Sequence, residues 1–383
     1  MDAVALLEDA SASMSPSIPR KGMHQATNTT VQSRMFGIGA VGFVALAWAL
    51  MQRQRTSHRT RAAECYTIAL ASVTSNVLED VASEQTGAAA TASKNIVITG
   101  GSKGLGFAMA REFLTSGHRV VICGRDTETL ARAEAALGRD GEVYATRCDV
   151  SNVADVQGLV QFARRKLGRV DVFINNAGRA SATRKPLWEL DPEDVAETCQ
   201  VNTMGSLLCS QAAIRLFMEQ LEAEPRPVQP RYHIFNFGFS VFGAQLSSST
   251  VPHKSTKRGV AEMTQFLAAE LKKNRLDHAI GVHECSPGLV LTDLLLKPDT
   301  PVALRRFFNT IAEEPDVVAR FVVPRMLNMR EANSEVRYLQ FLDAFVRVVG
   351  GVPAILWGGR YFDKDGNRVG DGEFNEAGVR KLY

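Results

Sequence analysis

The stretch 95–106, NIVITGGSKGLG, limits the fold of this chain more than any other. A short β-branched run stops at paired glycines, and a helical stripe of Leu105, Ala108, Met109 and Phe113 begins at once. Continuous apolar runs of this length read as buried strands, and stripes at helical spacing read as helix faces. A second strand follows at 118–124. Helices at 128–137 and 153–167 then alternate with strands at 142–146 and 170–176. Further on, helices at 205–222 and 256–273 alternate with strands at 232–237 and 279–285. This alternation predicts right-handed βαβ units and an α/β fold, a doubly wound parallel sheet of the Rossmann type. Asp191-Pro192-Glu193-Asp194 writes out one helix start: an N-cap, a proline at the first position and two acids in the first turn.

Residues 1–90 are of a different character. The run 35–51, MFGIGAVGFVALAWALM, carries no charge and is followed at once by Gln52, Arg53, Gln54 and Arg55. Crossing a bilayer takes about 20 apolar residues, with a lower limit of roughly 17, and this run sits at that limit. It begins late for a secretory signal. Arg53, Arg55, Ser57, Arg59 and Arg61, with no acid among them, have the texture of an organelle transit peptide. Residues 1–90 are therefore expected to be a targeting leader. Its segment 35–51 is either removed with the leader or kept as a membrane anchor. The catalytic domain is expected over 91–300, and an extension shaping a substrate pocket over 301–383. With 44 basic and 41 acidic residues, the net charge of +3 gives no electrostatic case for nucleic acid. The six cysteines form no CxxC pair, so no zinc site is expected.

The glycine turn Thr99-Gly100-Gly101-Ser102-Lys103-Gly104-Leu105-Gly106 joins a strand to a helix. Its glycines let the backbone approach a pyrophosphate, whose charge then sits at the helix N-terminus. The alternative is a tight connection without a ligand, which the strand-turn-helix context disfavours. An NAD site puts an acid at the end of the second strand to meet the ribose 2′-hydroxyl. Here that strand ends Cys123-Gly124-Arg125-Asp126. Arg125 stands where a cation can grip a 2′-phosphate and Lys103 adds charge, which favours NADPH over NADH. Arg125 is otherwise a surface charge, and Asp126 either ties it up or caps the next helix.

Together with later motifs, these residues resemble the short-chain dehydrogenase/reductase family. The glycine turn matches its TGxxxGxG. Asp149-Val150 matches the pair that contacts adenine after the third strand, and Asn175-Asn176-Ala177-Gly178 matches NNAG after the fourth. Asn202 matches the helix asparagine that helps position the active-site lysine and a water. Pro287-Gly288, followed by Val290 and Thr292, matches the segment whose threonine meets the nicotinamide amide. The resemblance implies that these residues hold NADP(H), that Lys257 completes a YxxxK motif, and that the chain forms a homo-oligomer through helix faces. Ser240 fits the family serine, although Ser247, Ser248 and Ser249 keep that assignment open.

The catalytic motif departs from the family at one position. His253, not tyrosine, stands four residues before Lys257, and no tyrosine lies between Tyr232 and Tyr338. Hydride delivery to a carbonyl builds charge on oxygen, which needs a proton donor and stabilising groups. Three readings follow. His253 substitutes as the acid, or substrate or water donates the proton, or the chain is a catalytically impaired NADPH-binding protein. A neighbouring Lys257 disfavours the imidazolium, but a neutral imidazole still offers one N–H.

Several stretches resemble a narrower group, the chlorophyll(ide) b reductases. They are His233-Ile234-Phe235-Asn236, the run 286–296, Phe308-Asn309, 314–320, 323–326 and 359–363. The resemblance implies NADPH-dependent reduction of the 7-formyl group of chlorophyll(ide) b to hydroxymethyl, in a chloroplast and in association with its thylakoid membrane. The competing substrate is another lipophilic carbonyl. Leu294, Leu295, Leu296, Phe307 and Phe308 suit a large apolar ligand, or else are core. The apolar segment 341–357 is expected to pack on the sheet, with a place against a membrane as the alternative.

Overall fold

The computed structural model describes residues 92–383, apart from Glu224, Arg226, Asp371, 376–378 and 381–383 and the side chains of Phe242, Leu246 and Phe341. Residues 1–90, expected to be a leader, and their segment 35–51 lie outside the described residues. Among the described residues no helix is long and apolar enough to cross a membrane.

Strands β1 (Asn95–Thr99), β2 (Arg119–Gly124) and β3 (Val143–Arg147) alternate with helices α1 (Gly104–Thr115), α2 (Thr127–Leu137) and α3 (Val153–Leu167). Next come β4 (Val172–Asn175), α4 (Pro192–Cys199), a π-helical turn (Gln200–Met204) and α5 (Gly205–Glu222). They are followed by β5 (Tyr232–Phe237), α6 (Val241–Leu246), α7 (Val251–Lys273) and β6 (Ile280–Ser286). The chain closes with β7 (Leu289–Val290), α8 (Val302–Ile311), β8 (Ala312–Glu313), α9 (Pro315–Leu327), β9 (Glu335–Arg337), α10 (Phe341–Gly350) and α11 (Val352–Trp357). The sheet has seven parallel strands in the order β3-β2-β1-β4-β5-β6-β9.

Alternation along each strand divides the core into two layers. Ile96 and Ile98 of β1, Val120 and Ile122 of β2, and Phe235 and Phe237 of β5 pack against α1, α2 and α9. Val97, Val121, Phe173 and Ile234 point the other way, into α3, α5 and α7. Both faces are covered, so the central strands are largely apolar, and each large side chain removed from water contributes about 1.5–3 kcal/mol. The strand order reverses between β1 and β4, which opens a crevice at their carboxyl ends where an open α/β sheet binds its ligand.

The structure revises three expectations. Helix α7 starts at Val251, ahead of the expected 256, with Pro252 tolerated in its first turn. His253 and Lys257 therefore sit one turn apart on one helix. Residues beyond 300 complete the sheet itself, since β9 is its edge strand and α9 packs on α1. The segment 341–357 forms two helices that pack on α8, with Ala344 against Ile311 and Leu339, rather than on the sheet. Of the five residues suited to an apolar ligand, Leu296 and Phe308 are fully buried core, Leu295 and Phe307 pack partly against that core, and Leu294 is exposed.

Candidate active site

The glycine turn is fastened to the turn after β4. Asn176 Nδ2 donates to the carbonyls of Thr99 (3.0 Å) and Gly100 (3.1 Å), and the Ala177 N–H donates to Thr99 Oγ1 (3.0 Å). Gly106 permits this approach, because a Cβ there would lie 2.2 Å from the Gly100 carbonyl oxygen and 2.6 Å from Asn176 Nδ2. Gly100 has φ +66°, the left-handed region that disfavours any side chain. At the start of α1, Lys103 supplies no side-chain cap and the first turn carries no acid. The first N–H groups of this helix are therefore left for an anion, the arrangement that accepts a pyrophosphate. Ser102 packs against Gly124 at the end of β2. Thr292 closes over the turn, 3.1 Å from where a Cβ of Gly104 would sit, and Lys103 pairs with Asp293 at 3.3 Å across the same gap.

Arg125 is exposed at the end of β2. Asp126 does not tie it up, since its carboxylate caps α2 by accepting from the Thr129 N–H at 2.7 Å. After β3, Asp149 accepts from the N–H and hydroxyl of Ser151. Burial opposes its charge, but these hydrogen bonds and the nearby Arg125 and Arg147 hold the carboxyl below its usual range. Val150 is buried against Gly205, where a Cβ would come within 2.7 Å of it. These groups stand at the carboxyl ends of β2 and β3, on one side of the crevice.

The other wall carries the candidate catalytic groups. The π-helical turn places Asn202, whose Oδ1 accepts from the Arg179 N–H (2.8 Å). Its Nδ2 donates to the Arg179 carbonyl (2.8 Å) and to Thr256 Oγ1 (2.9 Å). Single π-turns of this kind recur at functional sites. Asn202 thus fixes the loop after β4 to the face of α7 that carries Lys257. The Lys257 Nζ is buried, donates to the Phe237 carbonyl at 2.8 Å and lies against Gly178. Ser240 caps α6, its Oγ accepting from the Gly243 N–H at 3.0 Å, which leaves the hydroxyl proton free to donate. His253 is buried with its ring edge-on to Phe239 at 5.1 Å. Among the described residues neither of its ring nitrogens has a hydrogen-bond partner, so Ser240 and His253 are not joined directly. Pro287 and Gly288 turn the chain out of β6, and Val290 pairs with Glu313 in a small parallel ladder.

Electrostatics separate the two basic groups. Burial, then the charges of Lys257 and Lys297, push His253 down to about 3, so its ring is neutral near pH 7. Burial alone lowers Lys257 to about 8, which leaves it mostly protonated at neutral pH yet within reach of deprotonation.

The family model for short chain dehydrogenases matches residues 94–300. The chain belongs to the short-chain dehydrogenase family. The chain is 35% identical over 264 residues to chlorophyll(ide) b reductase NOL of Arabidopsis thaliana, a match spanning 67% of this chain and 73% of that one. It is 36% identical over 294 residues to the probable chlorophyll(ide) b reductase NYC1 of Oryza sativa subsp. japonica, spanning 72% of this chain and 55% of that one. Both relatives are described as chloroplastic. Among solved structures, an alcohol dehydrogenase from Thermococcus sibiricus shares the fold. Its TM-score is 0.51 at 23% identity, over 64% of this chain and 98% of that one.

Several contacts at the site have no signal in the linear sequence. Arg179 binds Asp194 and, at 2.9 Å, Glu197, which pins α4 to the loop after β4. Asn175 donates to Ser210 (2.9 Å) and Asn236 (2.7 Å), and Asn236 donates to Thr264 (3.1 Å), a buried polar chain beneath the crevice. Asn175 stands inside the NNAG run, so it was within reach of sequence reasoning. The contact of Phe239 with His253 was not.

Proposed function

We propose that this short-chain dehydrogenase is an NADPH-dependent carbonyl reductase that reduces the 7-formyl group of chlorophyll(ide) b to 7-hydroxymethyl in a plastid. One observation carries the reading. The match to the Arabidopsis chlorophyll(ide) b reductase runs over 264 residues, longer than the stretch 94–300 that the general family model covers. The likeness therefore reaches beyond the cofactor-binding core.

The crevice fits a dinucleotide: the glycines leave room that any side chain would fill, and the first turn of α1 is uncapped. Thr99, Gly100, Ser102, Gly104, Leu105, Gly106, Asn176, Ala177 and Gly178 would line the pyrophosphate side. Asp149 and Val150 would meet the adenine, Pro287, Gly288, Val290 and Thr292 the nicotinamide, and Lys257 the ribose beside it. Arg125 would grip a 2′-phosphate, and Lys103 adds charge although it shares its ammonium with Asp293. A bound reduced nicotinamide supplies the hydride for the carbonyl carbon. The neutral His253 ring offers one N–H, and Ser240 one O–H, to the carbonyl oxygen as negative charge builds there. Lys257 holds the proton that the oxygen takes, since its ammonium titrates near neutral pH and His253 carries no spare proton there. Asn202 keeps Lys257 in register through Thr256.

The test is turnover of chlorophyllide b with NADPH, followed by loss of the formyl absorbance. Product formation that falls by tenfold or more in Lys257→Met supports the reading. Cofactor binding without turnover, with activity appearing only in His253→Tyr, overturns it in favour of a protein that binds the nucleotide and has lost catalysis.

A further inference from the structure

The loop between β4 and α4 carries a cation that the reaction itself does not use. Arg184 Nη2 donates to the carbonyl of Leu295. Its Nη1 is buried and, among the described residues, has no hydrogen-bond partner. The charge of Asp299 acts on Arg184, but Asp299 is exposed and, among the described residues, forms no ion pair with it. A buried guanidinium edge without an acceptor is costly unless something else supplies one.

The position of this edge shows what could supply it. The same loop is tied to the start of α7 by the 2.7 Å hydrogen bond between Ser181 Oγ and Thr250 Oγ1, three residues before His253. On the opposite side, the segment after Thr292 brings Leu295 to Arg184 and the charge of Lys297 to His253. Arg184 therefore stands between the segment after Thr292 and the loop that is tied to the start of α7, the helix of His253. The glycine turn and the first turn of α1, where a pyrophosphate fits, belong to the other wall of the crevice. Leu294 in the segment after Thr292, and Leu187 and Trp188 in the same loop as Arg184, are exposed apolar groups. Exposed apolar side chains in the two segments that meet at one unsatisfied planar donor edge suit a flat lipophilic ligand that carries an oxyanion. Guanidinium forks match carboxylates in particular.

We propose that Arg184 binds a carboxylate of the substrate, so that the protein selects lipophilic aldehydes with a free acid side chain over their esters. This rests on the carbonyl reductase reading above. In that setting the preferred form is the tetrapyrrole with its propionate unesterified.

The test compares chlorophyllide b with its propionate methyl ester, using the full chain and NADPH. The wild type is expected to show a KM at least tenfold lower for the acid, with similar kcat for the two. Arg184→Gln is expected to raise KM for the acid to that of the ester and to leave the ester, kcat and NADPH affinity unchanged within twofold. Arg184→Lys should recover part of the difference. Equal KM values for acid and ester in the wild type overturn the proposal without any variant. A fall in NADPH affinity in Arg184→Gln also overturns it, because the oxyanion would then be a phosphate of the cofactor. If neither aldehyde is turned over, the reductase reading fails separately. Fluorescence quenching of chlorophyllide b then decides: binding that is weakened tenfold by Arg184→Gln or by esterification supports the carboxylate site, and equal binding overturns it.

Discussion

Lys257 and Gly178 approach so closely that a side chain at position 178 would crowd the ammonium. A Cβ at position 178 would lie 3.0 Å from the Lys257 Nζ and 3.4 Å from Asn202 Oδ1. The NNAG turn after β4 is thereby coupled to the middle of α7, and the ammonium is held against the Phe237 carbonyl. Gly178→Ala should push the flexible end of Lys257 away from that carbonyl. We expect kcat to fall roughly 10–100-fold, the scale of a displaced catalytic group, while the melting temperature falls by only a few degrees. Steady-state rates and a thermal melt check this, and an unchanged kcat would count against the placement of Lys257.

The pH profile separates Lys257 from His253 as the proton source. Lys257 is lowered to about 8 by burial, so its protonated form is lost as pH rises through about 8, and kcat should fall there. His253→Gln should keep that limb at a lower plateau, because glutamine still offers an N–H but cannot titrate. A limb that vanishes in His253→Gln would assign the proton to the histidine.

The same histidine carries a stability cost in acid. Burial and two lysines hold folded His253 near 3, whereas an unfolded histidine protonates below about 6.5. The unfolded state then binds more protons, so stability falls as pH drops from about 6.5 towards 3. His253→Gln removes this linkage and should gain on the order of 2 kcal/mol on the wild type at pH 5 relative to their difference at pH 7.5. Urea unfolding at the two pH values measures it; a difference that does not change with pH removes His253 as the cause.

Glu284 works in the opposite sense. Burial, then the neighbouring Glu335, raise its carboxyl to about 7, and Oε1 lacks a hydrogen-bond partner among the described residues. The folded state holds this proton more tightly than the unfolded chain, so stability is present below about 4.5 and lost as pH rises through about 7. Glu284→Gln is neutral throughout. It should be up to ~3 kcal/mol more stable than the wild type at pH 8 and no better at pH 4.5. Equal gains at both would show that charge is not the reason.

Glu313 joins the C-terminal residues to the segment over the crevice. It is buried on β8 beside Val290, accepts from the hydroxyls of Tyr361 and, at 3.1 Å, Tyr338, and pairs with Arg360 at 2.9 Å. Glu313→Gln weakens three charge-assisted contacts. We expect a loss of about 1.5–3 kcal/mol of stability, the scale of hydrogen bonds to a charged group, and a KM for the aldehyde that rises more than that for NADPH. A uniform loss of both affinities would place the effect in global unfolding.

The fold was legible because it rests on local periodicity. The apolar strand runs, the helical stripes and the glycine turn each state their own structure within a dozen residues, and the motifs from Thr99 to Thr292 lie in the order the family requires. Asp126 and Asp191 were readable as caps for the same reason, since a cap acts on an N–H two or three residues away. What the sequence could not decide depends on residues far apart in the chain. The start of α7 at Val251 follows from packing rather than from a periodic signal, and it puts His253 on the helix of Lys257. The neutral state of His253 is set by burial and by Lys297, which is distant in sequence. The hydrogen-bond chain from Asn202 to Thr256, the contact of Arg184 with the Leu295 carbonyl and the contacts of Glu313 all bridge separate elements. Local pattern determines which elements form, because it acts through hydrogen bonds and burial along a single segment. Burial depth, charge environment and the pairing of distant polar groups exist only once the sheet has brought those segments together.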